Sequence, residues 1–292
     1  MSDKKQNILV TGANGQLGSE LRSLATHSDN LNFVFTDIAE LDITDQDQIR
    51  HTIEREDIDT VVNCAAFTAV DKAEDNLKLA TQLNSEAPEK LARAINEKHG
   101  TIIHISTDYV FNGHNHTPYS ENDTPCPQSV YGKTKAEGEQ RVMQACEKSI
   151  VVRTAWLYSP YGNNFVKTMI RLGREREELN VVFDQIGTPT YARDLAQAIV
   201  KIINTGQKTY GIFHYTNEGA TSWYDFAKAI HRAAGISSCR INPIRTSQYP
   251  TPASRPAYSL LDKAKIKQTY KIDIPHWQDS LNECVATILN KK

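Results

Sequence analysis

The sequence has no pair of cysteines at the Cys-x-x-Cys spacing that zinc sites and redox motifs use. Its five cysteines are an odd number, and Cys64 and Cys146 lie in apolar or helical surroundings. Disulfide scaffolds pair an even number of cysteines and need an oxidising compartment. The cysteine content therefore argues against a disulfide scaffold or a zinc site and predicts a cytoplasmic protein.

Long apolar runs and a surplus of one charge sign are also absent. The N-terminal residues MSDKKQ lead into an apolar run that is too short for a signal peptide or a membrane span. The 33 basic and 35 acidic residues leave a formal net charge of −2. Because a basic surplus is what attracts nucleic acids and anionic membranes, we expect no nucleic acid and no membrane among the partners.

The first half of the chain alternates between short apolar runs and helical patterns. The runs predict strands over residues 7–11, 31–36, 58–63, 101–106 and 150–154. The patterns between them predict helices over residues 16–26, 45–56, 84–98 and 131–147. Such alternation is typical of a parallel sheet with helices on both faces. We therefore predict an α/β fold with a Rossmann-type doubly wound parallel sheet.

The second half is less regular. Its patterns predict helices over residues 164–178, 191–204, 222–234 and 276–290, with strands near 180–183 and 211–216. Residues 241–259 are rich in proline and serine, which predicts loop and extended chain. We predict a dinucleotide-binding domain over residues 1–160 with return elements at about 180–215, and a smaller α/β substrate-binding lobe over about 161–179 and 216–292.

The first predicted strand runs into TGANGQLG, which spaces Gly12, Gly15 and Gly18 as Gly-x-x-Gly-x-x-Gly. Glycines there allow a tight turn and a close approach of the backbone to a pyrophosphate, and the helix that follows points its N-terminal amides at that anion. The strand before the loop and the helix after it favour a dinucleotide site over an ordinary tight turn.

An acidic residue ends the next predicted strand. Asp37 could accept hydrogen bonds from both hydroxyls of an adenosine ribose and would repel a 2′-phosphate, so it favours NADH. A plain strand-end aspartate is the alternative. Asp42 and Ile43 could lie against the adenine, while Thr44 or Asp45 could cap a helix there.

Small residues follow the third predicted strand. Ala65 and Ala66 would let the backbone lie close to the ribose and nicotinamide of a dinucleotide. Close packing of a buried turn explains the same residues equally well, so the sequence leaves both interpretations open.

The stretch YGKTKAE places Tyr131 and Lys135 on one face of a predicted helix. A nearby ammonium lowers the pKa of a phenol, which could then donate a proton to an alkoxide that forms as a hydride arrives. Ser106 and Thr107 end the fourth predicted strand and offer a hydroxyl to hold the same oxygen. The isolated pair could be an exposed coincidence, but together with the glycine loop it predicts a catalytic site.

Together these motifs resemble the extended short-chain dehydrogenase/reductase family and, within it, the branch of dTDP-4-dehydrorhamnose reductases. The resemblance runs from residue 11 to about 196 and returns in RPAYSLLD near 255–262. Its segments are TGANGQLG, NCAAFTAVDKAE, ISTDYVFNG, YGKTKAEGE, RTAWLYSPYGNNFVKTM and QIGTPTYARDLA. ISTDYVFNG and RTAWLYSPYGNNF are specific to this branch.

The resemblance implies a role for each matching residue. Thr107, with Ser106 as the alternative, would complete a triad in which Tyr131 donates the proton and Lys135 activates it and binds the nicotinamide ribose. Implied cofactor contacts are Gly15, Gln16 and Leu17 at the pyrophosphate, Asp37, Asp42 and Ile43 at the adenosine, and Ala66, Phe67 and Thr68 beside the nicotinamide. Implied substrate contacts are Thr107, Asp108 and Trp156, although Trp156 could equally be a core aromatic.

The implied activity is hydride transfer from NADH or NADPH to the C4 ketone of dTDP-4-dehydro-β-L-rhamnose, the last step of dTDP-L-rhamnose synthesis. Some members of the branch bind Mg²⁺ through glutamates at a dimer interface, and Glu20 matches one such position, so a metal and a homodimer stay open. Two alternatives also stay open. One is a reductase or epimerase for another nucleotide-4-ketosugar, and the other is a binding protein like the regulatory subunit of methionine adenosyltransferase.

Overall fold

The computed structural model of the chain describes residues 5–26 and 30–290. Within them the strands are β1 (Gln6–Thr11), β2 (Leu31–Thr36), β3 (Thr60–Asn63), β4 (Thr101–Thr107), β5 (Ser149–Thr154), β6 (Leu157–Tyr158), β7 (Glu178–Val182), β8 (Ile186–Gly187), β9 (Thr190–Tyr191), β10 (Gly211–His214), β11 (Thr221–Ser222) and β12 (Arg240–Ile244). The α-helices are α1 (Gln16–Ala25), α2 (Gln46–Arg55), α3 (Val70–Asp75), α4 (Leu77–Thr81), α5 (Ala87–Glu97), α6 (Val130–Ala145), α7 (Phe165–Glu175), α8 (Ala192–Asn204), α9 (Trp223–Ala233), α10 (Ala264–Tyr270) and α11 (Trp277–Asn290). No helix in these ranges is long and apolar enough to cross a membrane.

The main sheet has the strand order β2-β1-β3-β4-β5-β10, and every neighbouring pair is parallel. The chain forms β2 on one side of β1 and then crosses to form β3 on the other side. Ligands of such sheets bind at the carboxyl ends of the strands where the order reverses, which is here between β1 and β3. The predicted α/β fold with a doubly wound parallel sheet is confirmed.

Alternate strand residues face two helical layers. Ile8 and Val10 of β1 share a core with residues of α1, α8 and α10, whereas Leu9 shares a core with residues of α2, α5 and α6. Because helices cover both faces, a central strand such as β3 is buried along its whole length. This explains why the strands of the first half are continuous apolar runs and not alternating ones.

A separate apolar core joins α7, α9 and α11 to β7 and β12. It contains Tyr158, Phe226 and Trp277, and none of its buried members comes from the first 150 residues of the described chain. The division into two lobes and its boundaries stay a prediction.

The predicted loop and extended chain over residues 241–259 starts with a paired strand. Residues Arg240–Ile244 form β12, which pairs in parallel with β7. Pro243 has no N–H to donate, and a strand that is paired on one side only tolerates this loss. The predicted helix over 84–98 also begins later, because a π-helical turn over Gln82–Glu86 precedes α5.

A buried ion pair holds α6 against the sheet. The Arg153 guanidinium on β5 donates to both carboxylate oxygens of Glu139 on α6, with Nη2 2.7 Å from Oε2, and the two side chains are 1% and 3% exposed. Ser106 on β4 donates to Glu139 Oε1 at 2.5 Å, and the Arg153 Nη1 atom lies 3.4 Å from His214 Nε2 on β10. One network therefore connects the helix to three adjacent strands.

Replacing Glu139 with Gln should lower the free energy of unfolding by about 3–5 kcal/mol, because it leaves a buried guanidinium without its charge partner. Urea denaturation at pH 7 measures this change. The matched control is Glu175→Gln in the Arg171–Glu175 pair of α7, whose side chains are 60% and 52% exposed. That change should cost about 1 kcal/mol or less, and equal losses in both variants would contradict the role given to the buried pair.

Candidate active site

A cavity of about 640 Å³ opens at the carboxyl ends of β1, β3, β4 and β5, where the strand order reverses. Most of the predicted site residues line it. They are Gly12, Gly15, Gln16, Leu17, Gly18, Asp37, Ala65, Ala66, Thr68, Thr107, Asp108, Tyr131, Lys135 and Trp156. Residues that are far apart in the sequence thus meet in one concave site.

The glycine loop leaves no room for side chains. A Cβ atom on Gly18 would lie 2.5 Å from the Gly12 carbonyl oxygen, and one on Gly12 would lie 2.7 Å from the Ala65 nitrogen. Gly12 also has a φ of +64°, in the left-handed region that favours glycine. Gly15 is the N-cap of α1 and carries no capping side chain. This bare backbone at a helix N-terminus is what a pyrophosphate requires.

The side chain of Gln16 turns away from the loop. Its Oε1 atom accepts a hydrogen bond from Asn164 at 2.9 Å, and its Nε2 atom donates to the Leu157 carbonyl at 3.4 Å. Asn164 is the N-cap of α7. The amide of Gln16 therefore ties the glycine loop to the segment that leads into the second core, a link that no local sequence signal predicted.

Two carboxylates lie at the end of β2. Asp37 accepts backbone hydrogen bonds from Asn14 at 3.0 Å and from Ile38 at 2.9 Å. Glu40 accepts one from the Asp37 N–H at 2.8 Å. Negative charge is thus concentrated at this edge of the cavity, where it would repel a further anionic group.

Three predicted cofactor residues are not part of the cavity lining. Ile43 is buried in the core beneath α2 and α5. Asp42 binds the N–H and the hydroxyl of Thr44, and Asp45 caps α2, as the capping interpretation predicted. Phe67 is held by its backbone, whose N–H and carbonyl both bind the side-chain amide of Asn84. Their cofactor contacts stay a prediction.

Tyr131 begins the first turn of α6 and faces the cavity, where its phenol and the Thr107 hydroxyl form a hydrogen bond. Burial raises the pKa of Tyr131 well above its ordinary value, and the hydrogen bond with Thr107 offsets only part of that rise. The expectation that an ammonium lowers this pKa is therefore wrong for the protein by itself, because the cost of burying a phenolate is larger. The phenol stays protonated at neutral pH.

Lys135 lies one turn further along α6 and is 2% exposed. Its Nζ atom donates to the Ile105 carbonyl at 2.6 Å and lies 3.4 Å from His104 Nε2. Burial lowers the pKa of Lys135 to about 8, and the nearby Glu139 carboxylate opposes that fall. At neutral pH most molecules therefore carry an ammonium beside the cavity.

Asp108 follows Thr107 at the end of β4 and is 2% exposed. Burial raises its pKa to about 6, although hydrogen bonds with Ser259 and Thr107 lower it. Within the described chain its Oδ2 atom has no hydrogen-bond partner. A buried carboxylate oxygen without a partner is costly, so its place in the cavity wall suits a hydrogen-bond donor of a ligand.

Trp156 closes the far side of the cavity with a strained backbone. Its φ is +48°, which is rare for a bulky residue. Its indole stacks on that of Trp223, with the ring centroids 3.6 Å apart, and a Cβ atom on Gly187 would lie 2.7 Å from it. One face of the indole packs on Trp223 and the residue also lines the cavity, so its contact with the substrate stays a prediction.

Several cavity neighbours were not predicted. Tyr109 packs edge-on against Tyr131, with ring centroids 5.5 Å apart, and its hydroxyl accepts from Arg255 at 3.1 Å. Arg255 also pairs with Asp71 at 2.7 Å. Three segments that are far apart in the sequence therefore meet beside the Tyr109 phenol. The sequence offered only a weak signal for Tyr109, the YV dipeptide that follows Asp108.

The described residues include no group of three or more His, Cys, Asp or Glu side chains that could hold a metal ion. Glu20, which matches a glutamate position of magnesium-binding relatives, is 2% exposed. A site shared between two subunits would need fewer oxygen ligands from each of them, so the magnesium site stays a prediction.

Known proteins resemble this chain over nearly its whole length. A dTDP-4-dehydrorhamnose reductase of Aggregatibacter actinomycetemcomitans is 43% identical over 96% of this chain and 98% of its own. A dTDP-4-dehydrorhamnose reductase structure from Clostridium acetobutylicum is 44% identical, with a TM-score of 0.92 over 97% of this chain and 100% of its own. One from Bacillus anthracis, in complex with NADP, is 38% identical, with a TM-score of 0.93 over 97% and 99%.

The family described as the RmlD substrate binding domain matches residues 6–290. This match covers the glycine loop, both halves of the Tyr131–Lys135 motif and the second core. Relatives that are 40–43% identical align with 96–97% of this chain. The chain therefore belongs to the RmlD substrate-binding-domain family.

Proposed function

We propose that this chain reduces the C4 ketone of dTDP-4-dehydro-β-L-rhamnose with NADH or NADPH and forms dTDP-β-L-rhamnose. One observation carries the proposal: a protonated phenol, a hydroxyl and an ammonium meet beside a glycine loop at the carboxyl edge of the sheet. The relatives named dTDP-4-dehydrorhamnose reductase and the relative bound to NADP support it. Hydride-transfer enzymes need this combination of a dinucleotide cradle and a proton donor.

The cavity fits a nicotinamide dinucleotide because the glycine loop presents bare backbone at the N-terminus of α1 along its lining. A bound reduced nicotinamide supplies the hydride. Gly12, Gly15 and Gly18 would hold the pyrophosphate, Asp37 the adenosine ribose, and Lys135 the nicotinamide ribose. Ala65, Ala66 and Thr68 line the cavity beside the ends of β3 and β4 and would border the nicotinamide.

Tyr131 would supply the proton. Reduction of a ketone leaves negative charge on its oxygen, and a group that donates to this oxygen must be protonated beforehand. Burial keeps the phenol in that form, and its hydrogen bond with the Thr107 hydroxyl would fix its position. As the resemblance implies, the ammonium of Lys135 would stabilise the phenolate that remains. The raised pKa of the phenol is therefore suited to the reductive direction.

The remaining cavity wall would bind the sugar. Asp108 has an oxygen free for a sugar hydroxyl, and Trp156 offers an apolar indole surface. Gly162, Asn163 and Asn164, at the start of the predicted substrate-binding lobe of residues 161–179 and 216–292, would complete this wall beside the ends of β4 and β5. No step in this scheme uses Mg²⁺, and the homodimer and the cytoplasmic location stay predictions.

A reductase for a different nucleotide-4-ketosugar is the second candidate, since the catalytic triad acts on any ketone placed beside it. A panel of dTDP- and UDP-4-ketosugars, followed by the loss of absorbance of NADH and NADPH, distinguishes the two. Turnover with dTDP-4-dehydrorhamnose at least about tenfold above every other sugar supports the first. Equal or higher turnover with another sugar would move the assignment to that sugar.

Replacing Tyr131 with Phe should lower kcat by about 100-fold or more, because it removes the proton donor and leaves the ring in place. The dissociation constant for NADH, from fluorescence titration, should change by less than about threefold. Tyr109→Phe is the matched control, since it removes a cavity phenol that contacts Arg255 but leaves Tyr131 intact. Wild-type turnover in Tyr131→Phe would show that another group donates the proton.

Replacing Asp37 with Asn should raise the NADPH-to-NADH ratio of kcat/KM by about tenfold, because it removes a charge that repels a 2′-phosphate. The control is Asp42→Asn, whose carboxylate binds Thr44 outside the cavity lining. Steady-state kinetics with both cofactors give the ratio. A larger change in Asp42→Asn than in Asp37→Asn would place the adenosine ribose at Asp42.

Replacing Lys135 with Met should abolish turnover and raise the free energy of unfolding at pH 7 by up to about 3 kcal/mol. Burial lowers the pKa of Lys135 from 10.5 to about 8, so the unfolded chain binds the proton more tightly between these values. The stability of the wild type should therefore rise with pH across that window and approach that of the variant. The control is Lys133→Met on the exposed side of α6. If the free energies of unfolding of Lys135→Met and the wild type differed by the same amount at every pH, the link between stability and the pKa of Lys135 would be refuted.

A further inference from the structure

A chain of buried polar groups crosses the core beneath the cavity and ends at Lys135. The Thr11 hydroxyl and the Ala65 N–H both donate to Asn63 Oδ1, at 2.7 and 3.2 Å. Asn63 Nδ2 lies 3.0 Å from His104 Nδ1, and His104 Nε2 lies 3.4 Å from Lys135 Nζ. Asn63 and His104 are fully buried, and neither has a role in the scheme above.

This chain defines the tautomer of His104. The backbone N–H of Ala65 can only donate, so the atom of Asn63 that faces it must be the oxygen. Asn63 Nδ2 therefore faces His104 and, since an amide nitrogen can only donate, His104 Nδ1 must accept. Burial, and secondarily the Lys135 charge, lowers the pKa of His104 well below its ordinary value, so the ring is neutral and carries its single proton on Nε2.

In this tautomer the Nε2–H of His104 is a hydrogen-bond donor that faces the ammonium of Lys135, which is itself a donor. Because His104 Nε2 bears a proton, it cannot accept a hydrogen bond from Lys135, and the Ile105 carbonyl at 2.6 Å is the acceptor on the core side. We propose that His104 is a positioning residue whose Nε2–H turns the remaining N–H bonds of Lys135 toward the cavity, where ribose hydroxyls of the nicotinamide nucleotide would accept them. This inference rests on the proposed function only for the identity of the cavity ligand.

The effect of His104 on the Lys135 ammonium can be separated from the effects of the other titratable groups around it. Glu139 faces it from α6, and Cys64 faces it from the loop after β3. Burial raises the pKa of Cys64 to about 12, so the thiol is neutral. Glu139 favours the ammonium. An N–H of His104 only 3.4 Å from Nζ opposes it, because two hydrogen-bond donors then face each other. An acceptor in place of that N–H should therefore strengthen the hold of Lys135 on its proton.

The first test is the ¹⁵N NMR spectrum of histidine-labelled wild-type protein at pH 7, with His104 assigned by the signal lost in His104→Gln. Protonated and unprotonated ring nitrogens have well-separated shifts. We expect Nε2 to be protonated and Nδ1 not. The opposite tautomer or an imidazolium would overturn the proposal. This readout needs no substrate, so it fails or succeeds separately from the reductase assignment.

The second test reverses the tautomer with Asn63→Asp. The carboxylate can accept from Ala65 and from His104 Nδ1, which leaves Nε2 as an acceptor for Lys135. We expect the tautomer to reverse in the spectrum, the dissociation constant for NADH to rise by about tenfold, and the alkaline limb of kcat/KM to move to higher pH. A reversed tautomer with unchanged NADH affinity, or a shifted limb without a reversed tautomer, would overturn the proposal.

His104→Leu serves as a second variant in case the added buried charge prevents folding. It removes the Nε2–H without adding an acceptor, and we expect several-fold weaker NADH binding with kcat at saturating NADH within about threefold of wild type. The matched control is His231→Gln, a buried histidine of α9 that lies 3.1 Å from the Met169 carbonyl. NADH affinity that drops in His231→Gln as far as in His104→Leu would mark the effect as general destabilisation and refute the positioning role.

Discussion

The buried pair of Glu139 and Arg153 is the interaction on which the catalytic geometry depends. It joins α6, the helix that presents Tyr131 and Lys135, to strands β4, β5 and β10. The strand ends supply the opposite wall of the cavity, including Thr107. A helix that shifted along the sheet by one turn would move the phenol by about 5 Å, which is more than a hydrogen bond with that hydroxyl allows. A charged pair in the core resists such a shift because separating the two ions would remove the contact that compensates for their burial.

Burial also decides the protonation states in the cavity. It keeps the phenol of Tyr131 neutral and makes the ammonium of Lys135 easier to deprotonate, and it raises the pKa of Asp108 as well. The same low-polarity environment thus acts in opposite directions on acids and on the lysine. For a reductase this is useful, since the proton donor must hold its proton until the ketone oxygen gains charge.

The cavity combines bare backbone with firmly held side chains. The glycine loop offers main-chain atoms to an anion, while Trp156 adopts a strained conformation that stacking on Trp223 stabilises. Strain of this kind persists only where surrounding contacts compensate for it, and it is concentrated at functional sites. Relatives at about 40% identity carry the name dTDP-4-dehydrorhamnose reductase, which agrees with the use of this cavity proposed above.

Local patterns in the sequence were enough to predict the parallel sheet, the glycine loop and the Tyr131–Lys135 face, because period, spacing and residue type act over a few residues. Three features needed the tertiary structure: the pairing of β12 with β7, the contact of Arg255 with Tyr109, and the link from Asn63 through His104 to Lys135. Each joins segments far apart in the chain. The pKa values of Tyr131, Lys135 and Asp108 also required the tertiary structure. Each departs from its ordinary value because the side chain is buried, and the burial of a side chain depends on everything packed around it and not on its neighbours in sequence.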